Sequence, residues 1–262
     1  MKIMTFLTDF GYNNNYICQM KSVALSITDA KIVDLNHNIS PHNISEAAFI
    51  LSTSIKYFPI GTVHIAVVDP GVGTKRRGIV VTTRKHVFVG PDNGLLIPAA
   101  RSQGVFSVYE IKNPNLMLNN ISNTFHGRDI FTPVGAHILN GLMFDQIGPI
   151  INDYVDLKVP SYQITDKTAT GNVIYIDSFG NIITNIEGTN LLKFLKYDNK
   201  IMLFIGDKQI ELPFVKSYNY VKSGEFLSTI GSNNFFEISI NQGNAAQKLK
   251  INENDELKIL FN

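Results

Sequence analysis

Apolar residues fall in two different rhythms along this chain. In the first half, short apolar runs alternate with stretches in which apolar residues recur every three or four positions. Residues 3–7 read as a strand, 16–27 as an amphipathic helix, 31–35 as a second strand and 62–68 as a third. Asn43, with Glu46 three positions on, has the form of a capping box and predicts a helix running to Tyr57. Repeated strand, helix, strand order builds a mainly parallel sheet covered on both faces, with ligands at the carboxyl ends of its strands. Residues 78–83 and 86–89 are β-branched strands around a tight Arg84-Lys85 turn, an antiparallel element that makes the sheet mixed. A last helix is predicted over 129–139, and the Pro-, Gly- and Asp-rich stretch 148–170 reads as the connection to a second domain.

Beyond that stretch the rhythm changes. Strands are short and closely spaced, at 173–176, 182–186, 201–205, 209–212, 226–230 and 235–240, with no convincing helix among them and a Gly206-Asp207 hairpin signal. The reading is therefore an α/β protein of two parts. An N-terminal α/β domain with a mainly parallel or mixed central sheet takes residues 1–160, and a smaller C-terminal all-β, barrel-like domain takes 161–262.

Charge and cysteine content narrow the partners. With 23 Lys and Arg against 22 Asp and Glu, and no basic cluster, the electrostatic footprint of a nucleic-acid or anionic-membrane binder is missing. The longest apolar runs, such as 63–68 interrupted by His64, fall far short of the roughly 20 residues that span a bilayer. Cys18, the only cysteine, has no partner for an intramolecular disulfide, and the chain start reads as a buried strand rather than a secretion signal. The expectation is a cytoplasmic protein acting on a small molecule.

Three polar loops follow predicted strands or precede a predicted helix: Thr8-Asp9-Phe10-Gly11, Asp69 through Arg77, and Phe125-His126-Gly127-Arg128-Asp129. Asp9 before Gly11 fits either an Asx-turn or a ligand-binding carboxylate. Gly71 and Gly73 can let the backbone approach a ligand, but the loop lacks the Gly-Lys-Ser/Thr ending of a phosphate-binding loop and leads into a strand. His126 can relay a proton or cap the helix that follows. Asp9, Asp69, His126 and Asp129 lack the close spacing of a dedicated metal site, so no metal is expected. Asp9-Phe10-Gly11 matches a kinase triplet without the other kinase motifs.

The second domain carries amide-rich loops instead: Asp177-Ser178-Phe179-Gly180-Asn181, Gly231-Ser232-Asn233-Asn234 and Asn241-Gln242-Gly243-Asn244-Ala245-Ala246. Each alone reads as a tight turn; together they offer the donors and acceptors that a neutral heteroaromatic ring such as adenine requires.

Taken in order, these loops together with Pro91-Asp92-Asn93-Gly94 resemble the S-adenosyl-L-methionine hydroxide adenosyltransferases, a family related to the fluorinase and chlorinase, over nearly the whole chain. The resemblance implies hydrolysis of S-adenosyl-L-methionine to adenosine and methionine, with no cofactor and no metal. It implies Asp69, Arg76 and His126 as the catalytic set, where the fluorinase has a tyrosine in place of Asp69 and a halide-contacting serine in place of Gly127. Asp9 is implied at the ribose hydroxyls, Asp177 and Ser232 at the methionine end, Phe179 and Asn181 at the adenine, and Asn244 and Ala245 at the adenine edge. Asn14 is a further substrate-side position, standing where many members have aspartate, and His42 stands where the halogenases have a tryptophan wall.

The reaction so implied is in-line displacement at ribose C5′, with methionine leaving as a neutral thioether. Such a site needs an aligned nucleophile and exclusion of bulk water rather than an oxyanion hole. Asp69 is expected to orient and deprotonate the water, with Arg76 lowering its pKa and so weakening it as a base. Halide transfer and a non-catalytic sensor are the alternatives. The resemblance also implies a homotrimer whose sites lie between subunits.

Overall fold

In the computed structural model, residues 1–158 and 160–261 are described. The chain forms two compact units, Met1–Leu157 and Lys158–Asn262. Among the described residues, no helix is long and apolar enough to cross a membrane.

The first unit holds a six-stranded mixed sheet built from β1 (Ile3–Thr8), β2 (Lys31–Asn36), β3 (Val63–Val67), β4 (Gly78–Thr83), β5 (Val87–Pro91) and β6 (Phe106–Glu110). Its order is β2-β1-β3-β5-β4-β6. β1 pairs in parallel with β2 and β3, and β3 with β5, while β4 runs antiparallel to β5 and β6. β1 and β3 are buried at every position because helices cover both faces, and strands in that setting carry continuous apolar runs. Met4, Phe6, Ile65 and Val67 pack on one face with Met20 and Ala24 of α1 (Tyr16–Ile27) and with Val134 and Ala136 of α4 (Thr132–Leu139). Leu7, Ala66 and Val68 pack on the other with Leu51 of α2 (Ile44–Ser54) and with Ala99 and Ala100 of α3 (Ile97–Arg101).

Two helices differ from expectation. The α2 segment ends at Ser54 and finishes in a 3₁₀ turn, Ile55–Tyr57, so the α-helix stops short of Tyr57. The Asn43 cap is in place, its side chain accepting from Glu46 N at 3.0 Å, and the Glu46 carboxylate accepts from Ser40 N. The helix expected over 129–139 begins earlier, as a π-helical turn, Gly127–Phe131, before α4. Pro133 supplies the reason. It has no N–H, and its ring excludes the carbonyl four residues back, that of Asp129. That carbonyl accepts from Leu118 N instead, and Gly127 O takes both the N–H and the hydroxyl of Thr132.

The second unit is an eight-stranded antiparallel sheet. Its strands are β7 (Gln163–Ile164), β8 (Thr168–Ile176), β9 (Ile182–Glu187), β10 (Lys200–Ile205), β11 (Lys208–Pro213), β12 (Phe226–Ile230), β13 (Phe235–Ile240) and β14 (Glu256–Leu260). The order is β11-β10-β14-β8-β9-β13-β12, with β7 on β8. An isolated bridge, Phe214↔Ser228, joins the end of β11 to β12 and nearly closes the sheet into a barrel around Leu203, Phe214, Phe236 and Ile259. β7 and the start of β8 lie inside the stretch expected to be connection. Two helices of about one turn each, α5 (Gly188–Leu191) and α6 (Ala245–Leu249), lie among the strands.

Candidate active site

Because β1 and β3 are parallel neighbours, with Thr8 opposite Val67, the loops that follow them emerge side by side at the carboxyl end of the sheet. Asp9 and Asp69 are thereby brought to one cavity of about 300 Å³, lined also by Phe10, Tyr16, His42, Phe125, His126 and Gly127.

Several motif residues serve to hold Asp69 in place. Asn93 Nδ2 donates to Val68 O at 2.8 Å, pinning the strand end just before it. Gly73 has φ +74°, and a Cβ there would lie 2.4 Å from Asn123 O, so this glycine admits the backbone of the His126 segment rather than a ligand. Arg77 turns away from the cavity to pair with Asp92 and Asp153, and Asp92 in turn accepts from Val155 N.

Arg76 turns inward. Its Nε donates to Asp69 Oδ1 at 3.0 Å and its Nη2 to Asp69 Oδ2, a two-pronged pair with both side chains nearly out of solvent. Nη2 also donates to His126 Nδ1 at 2.9 Å. A guanidinium only donates, so Nδ1 must be the acceptor and the His126 proton sits on Nε2. Burial and the nearby Arg76 charge push the His126 pKa below its ordinary value, which keeps the ring neutral. His126 stands at the start of the π turn without capping it, so the capping alternative is not realised. Phe131, in that turn, lies under the Arg76 guanidinium at 5.2 Å.

The expected lowering of the Asp69 pKa is reversed. Burial raises it, and this outweighs the Arg76 charge and hydrogen bonds, the His126 interaction and the Gly71 backbone contact, all of which pull it down. A carboxylate so raised is a better base at neutral pH than an ordinary aspartate.

Asp9 Oδ2 accepts from His42 N at 3.0 Å, and His42 is held in the left-handed region at φ 67°, a conformation uncommon outside glycine and frequent at functional loops. Asn14 is exposed and donates to Phe10 O; it does not line the cavity.

A cavity of about 700 Å³ in the second unit gathers Asp177, Phe179, Asn181 and Asn244 with Tyr218, Asn219 and Asn241. Asp177 is the hub of its loop. Oδ1 accepts from Phe179 N and Asn181 N, and Oδ2 from Asn181 Nδ2, all at 2.9 Å. That loop leaves Phe179 projecting, 75% exposed. Asn244 Oδ1 caps α6 by accepting from Gln247 N, and its side chain lies against Gly180, where any Cβ would collide with it. Ala245 is buried at the start of α6, and Ser232 is exposed on the Gly231–Asn234 turn; neither lines this cavity.

Sequence reasoning missed Tyr218. Its hydroxyl donates to Glu237 at 2.8 Å, and burial together with the Glu237 and Asp177 carboxylates pushes the phenol up, so it stays protonated. The available signal was the exposed aromatic pair Tyr218 and Tyr220 ahead of the Gly224-Glu225 turn.

The SAM hydroxide adenosyltransferase N-terminal domain matches residues 4–148 and the corresponding C-terminal domain matches 171–258. The chain belongs to the SAM hydroxide adenosyltransferase family. A Methanocaldococcus jannaschii member named (R)-S-adenosyl-L-methionine hydrolase is 39% identical, the alignment covering 100% of this chain and 97% of that one. A fluorinase from Actinoplanes is 26% identical over 82% of this chain and 83% of its own. The crystal structure of an uncharacterised conserved protein from Thermotoga maritima superposes with a TM-score of 0.93 at 38% identity, covering 98% of this chain and 99% of that one.

Proposed function

We propose that the protein hydrolyses S-adenosyl-L-methionine to adenosine and L-methionine. The observation that carries this reading is the Asp69–Arg76–His126 set, a buried carboxylate of raised pKa fixed by a guanidinium that also fixes the tautomer of a neutral imidazole. Asp69 takes the proton of a water aligned with ribose C5′, and the water oxygen forms the new C–O bond as the C–S bond breaks. The sulfonium becomes the neutral thioether of methionine, so charge is annihilated, and a cavity poor in water favours that transition state. His126 Nε2–H is free of the Arg76 contact and supplies a donor to the developing hydroxide. Asp9 holds the ribose, and the second unit's cavity, with Phe179, Asn181 and Asn244, takes the adenine.

Turnover needs no metal in this reading, because Arg76 already occupies the cation position facing both Asp69 and His126. The Methanocaldococcus relative is named for the (R) epimer at sulfur, so both sulfonium epimers belong in the test. Each would be incubated with the protein, with and without chloride and chelator, and the products separated by chromatography. Adenosine under all conditions is expected. Chloro-adenosine would establish halide transfer, unchanged ligand a sensor, and chelator-sensitive turnover a metal enzyme.

We further propose a homotrimer in which the charged cavity of one subunit works with the amide-rich cavity of its neighbour. Each cavity carries half of the required chemistry. Assayed at substrate well below KM, co-expressed Asp69→Ala and Asn244→Ala chains then recover part of the kcat/KM that each lacks alone, and a fully active monomer by light scattering would defeat the assembly. The exposed free thiol of Cys18 and the even charge balance fit a cytoplasmic enzyme with a small-molecule partner and no nucleic acid, which cell fractionation tests.

A further inference from the structure

A line of polar side chains runs behind the Asp9 loop, from the surface of α1 into the core. Lys21 Nζ lies 2.6 Å from Asp34 Oδ2. Asp34 Oδ1 faces His37 Nε2 at 3.2 Å, off the axis of a good hydrogen bond, with no other hydrogen-bond partner for either atom among the described residues. His37 Nδ1 is 2.8 Å from Thr8 Oγ1, and Thr8 and His37 are both wholly buried. The Asp34 carboxylate only accepts, so the ring proton sits on Nε2, toward Asp34, and Nδ1 accepts from the Thr8 hydroxyl, whose oxygen also accepts from Phe10 N at 3.3 Å. The His37 backbone carbonyl accepts from Gly11 N at 2.7 Å.

The order hydroxyl, imidazole, carboxylate is that of a nucleophilic triad, but a wholly buried Thr8 leaves no room for a substrate at its oxygen. What the line does touch is the loop. His37 grips it on both sides of Asp9, through the Thr8 hydroxyl before it and through Gly11 N after it. Burial pushes the His37 pKa down and keeps the ring neutral, so Nδ1 remains an acceptor for Thr8. Gly11, at φ +66°, makes the reversal that brings its N–H back to His37.

We propose that the Thr8–His37–Asp34 line is a positioning device that fixes the Asp9 carboxylate at the height and angle needed to hold the 2′,3′-diol of the ribose. The proposal rests on the adenosyl reading of the cavity. Its signature is selective: loosening the line weakens ligands that carry the diol and leaves others alone, whereas a general loss of structure would weaken both.

The test uses full-length protein carrying Thr8→Val, which keeps the shape and removes the hydroxyl, and Thr8→Ser, which keeps the hydroxyl. Adenosine and 2′,3′-dideoxyadenosine are the calorimetric probes, beside steady-state hydrolysis of S-adenosyl-L-methionine. Thr8→Val is expected to weaken adenosine by about tenfold, the scale of one lost hydrogen bond to a charged group, and to raise KM similarly. Dideoxyadenosine affinity and kcat should stay within about twofold, and Thr8→Ser should restore adenosine affinity. Should Thr8→Val fail to fold, Asp34→Asn at the half-exposed end of the line carries the same selectivity test. Equal loss for both nucleosides, or none for either, overturns the positioning role. Wild-type protein that binds adenosine but releases none from the substrate would sink the hydrolase reading while leaving this test intact, and wild type that binds no adenosine would defeat both.

Discussion

The two cavities are built from opposite materials. The one in the first unit is small and charged: two carboxylates stand on adjacent parallel strand ends, a guanidinium is shared between Asp69 and His126, and burial moves pKa values in both directions. The one in the second unit is wider and mostly uncharged, and its single carboxylate, Asp177, is committed to three hydrogen bonds within its own loop. Buried charge whose protonation is tuned suits proton transfer, and fixed amides around a projecting ring suit recognition. Under the proposed reaction, the contrast assigns making the nucleophile to the first unit and reading the base to the second.

The sharpest test is to remove Asp69. Asp69→Ala should lower kcat by at least about 10²-fold while adenosine binding by calorimetry is nearly kept. Near-normal turnover would take Asp69 out of the chemistry.

The pH profile comes next. Asp69 must be ionised to act, and its pKa is raised; His126 must be neutral to accept from Arg76, and its pKa is lowered. Both requirements fail on the acid side, so kcat should fall as pH drops, along a limb lying above the ordinary aspartate value of 3.8, by about tenfold per unit where one group titrates and up to about a hundredfold where both do. It should be level from neutrality upward, and a profile falling toward high pH would mean that a different group is the base.

Asn244→Ala probes the other side of the contrast. It removes the cap of α6, a loss of about 1 kcal/mol, and the contact with Gly180, so KM should rise several-fold with kcat held. A fall in kcat as large as that of Asp69→Ala would erase the division between the units.

The last test concerns stability alone and leaves catalysis untouched. His64 is buried under the first sheet, stacked on Phe88 and bonded to Thr5, and burial lowers its pKa from 6.5 to about 3. The folded state refuses a proton that the unfolded chain accepts, so the stabilisation is complete above pH 6.5 and drains away as pH falls toward 3. Its ceiling is about 5 kcal/mol. Urea titrations should show His64→Leu flattening that acid dependence, and an unchanged slope would assign it to other groups.

Much of this was legible in the chain. Helix α1 and strands β12 and β13 lie where periodicity places them, since each carries a complete apolar pattern bounded by turn residues. Strand β14 was missed: its alternation of charged and apolar residues is short, and its partners β10 and β8 are distant in sequence. β6, a sheet edge, was missed for a similar reason. The loops bearing Asp9, Asp69 and His126 were identifiable because they hold more polar residues than turns require. The direction of the Asp69 shift was not, because desolvation depends on how the chain packs around the carboxyl, whereas Arg76 is visible seven positions away. Tyr218 was hidden because the aromatic pair Tyr218 and Tyr220 between polar residues reads equally as surface or as wall.

The π turn at Gly127–Phe131 sets a frame for everything upstream of it. A π turn amounts to one residue more than an α-helix would use, and each residue turns an α-helix by about 100°. Deleting a single residue there would let the segment relax into a regular helix, swinging His126 about a quarter-turn away from Arg76 with no change in any side chain of the site. The imidazole's address is thus written in the length of the chain as well as in its letters, and a one-codon deletion would be as damaging to the set as replacing the histidine.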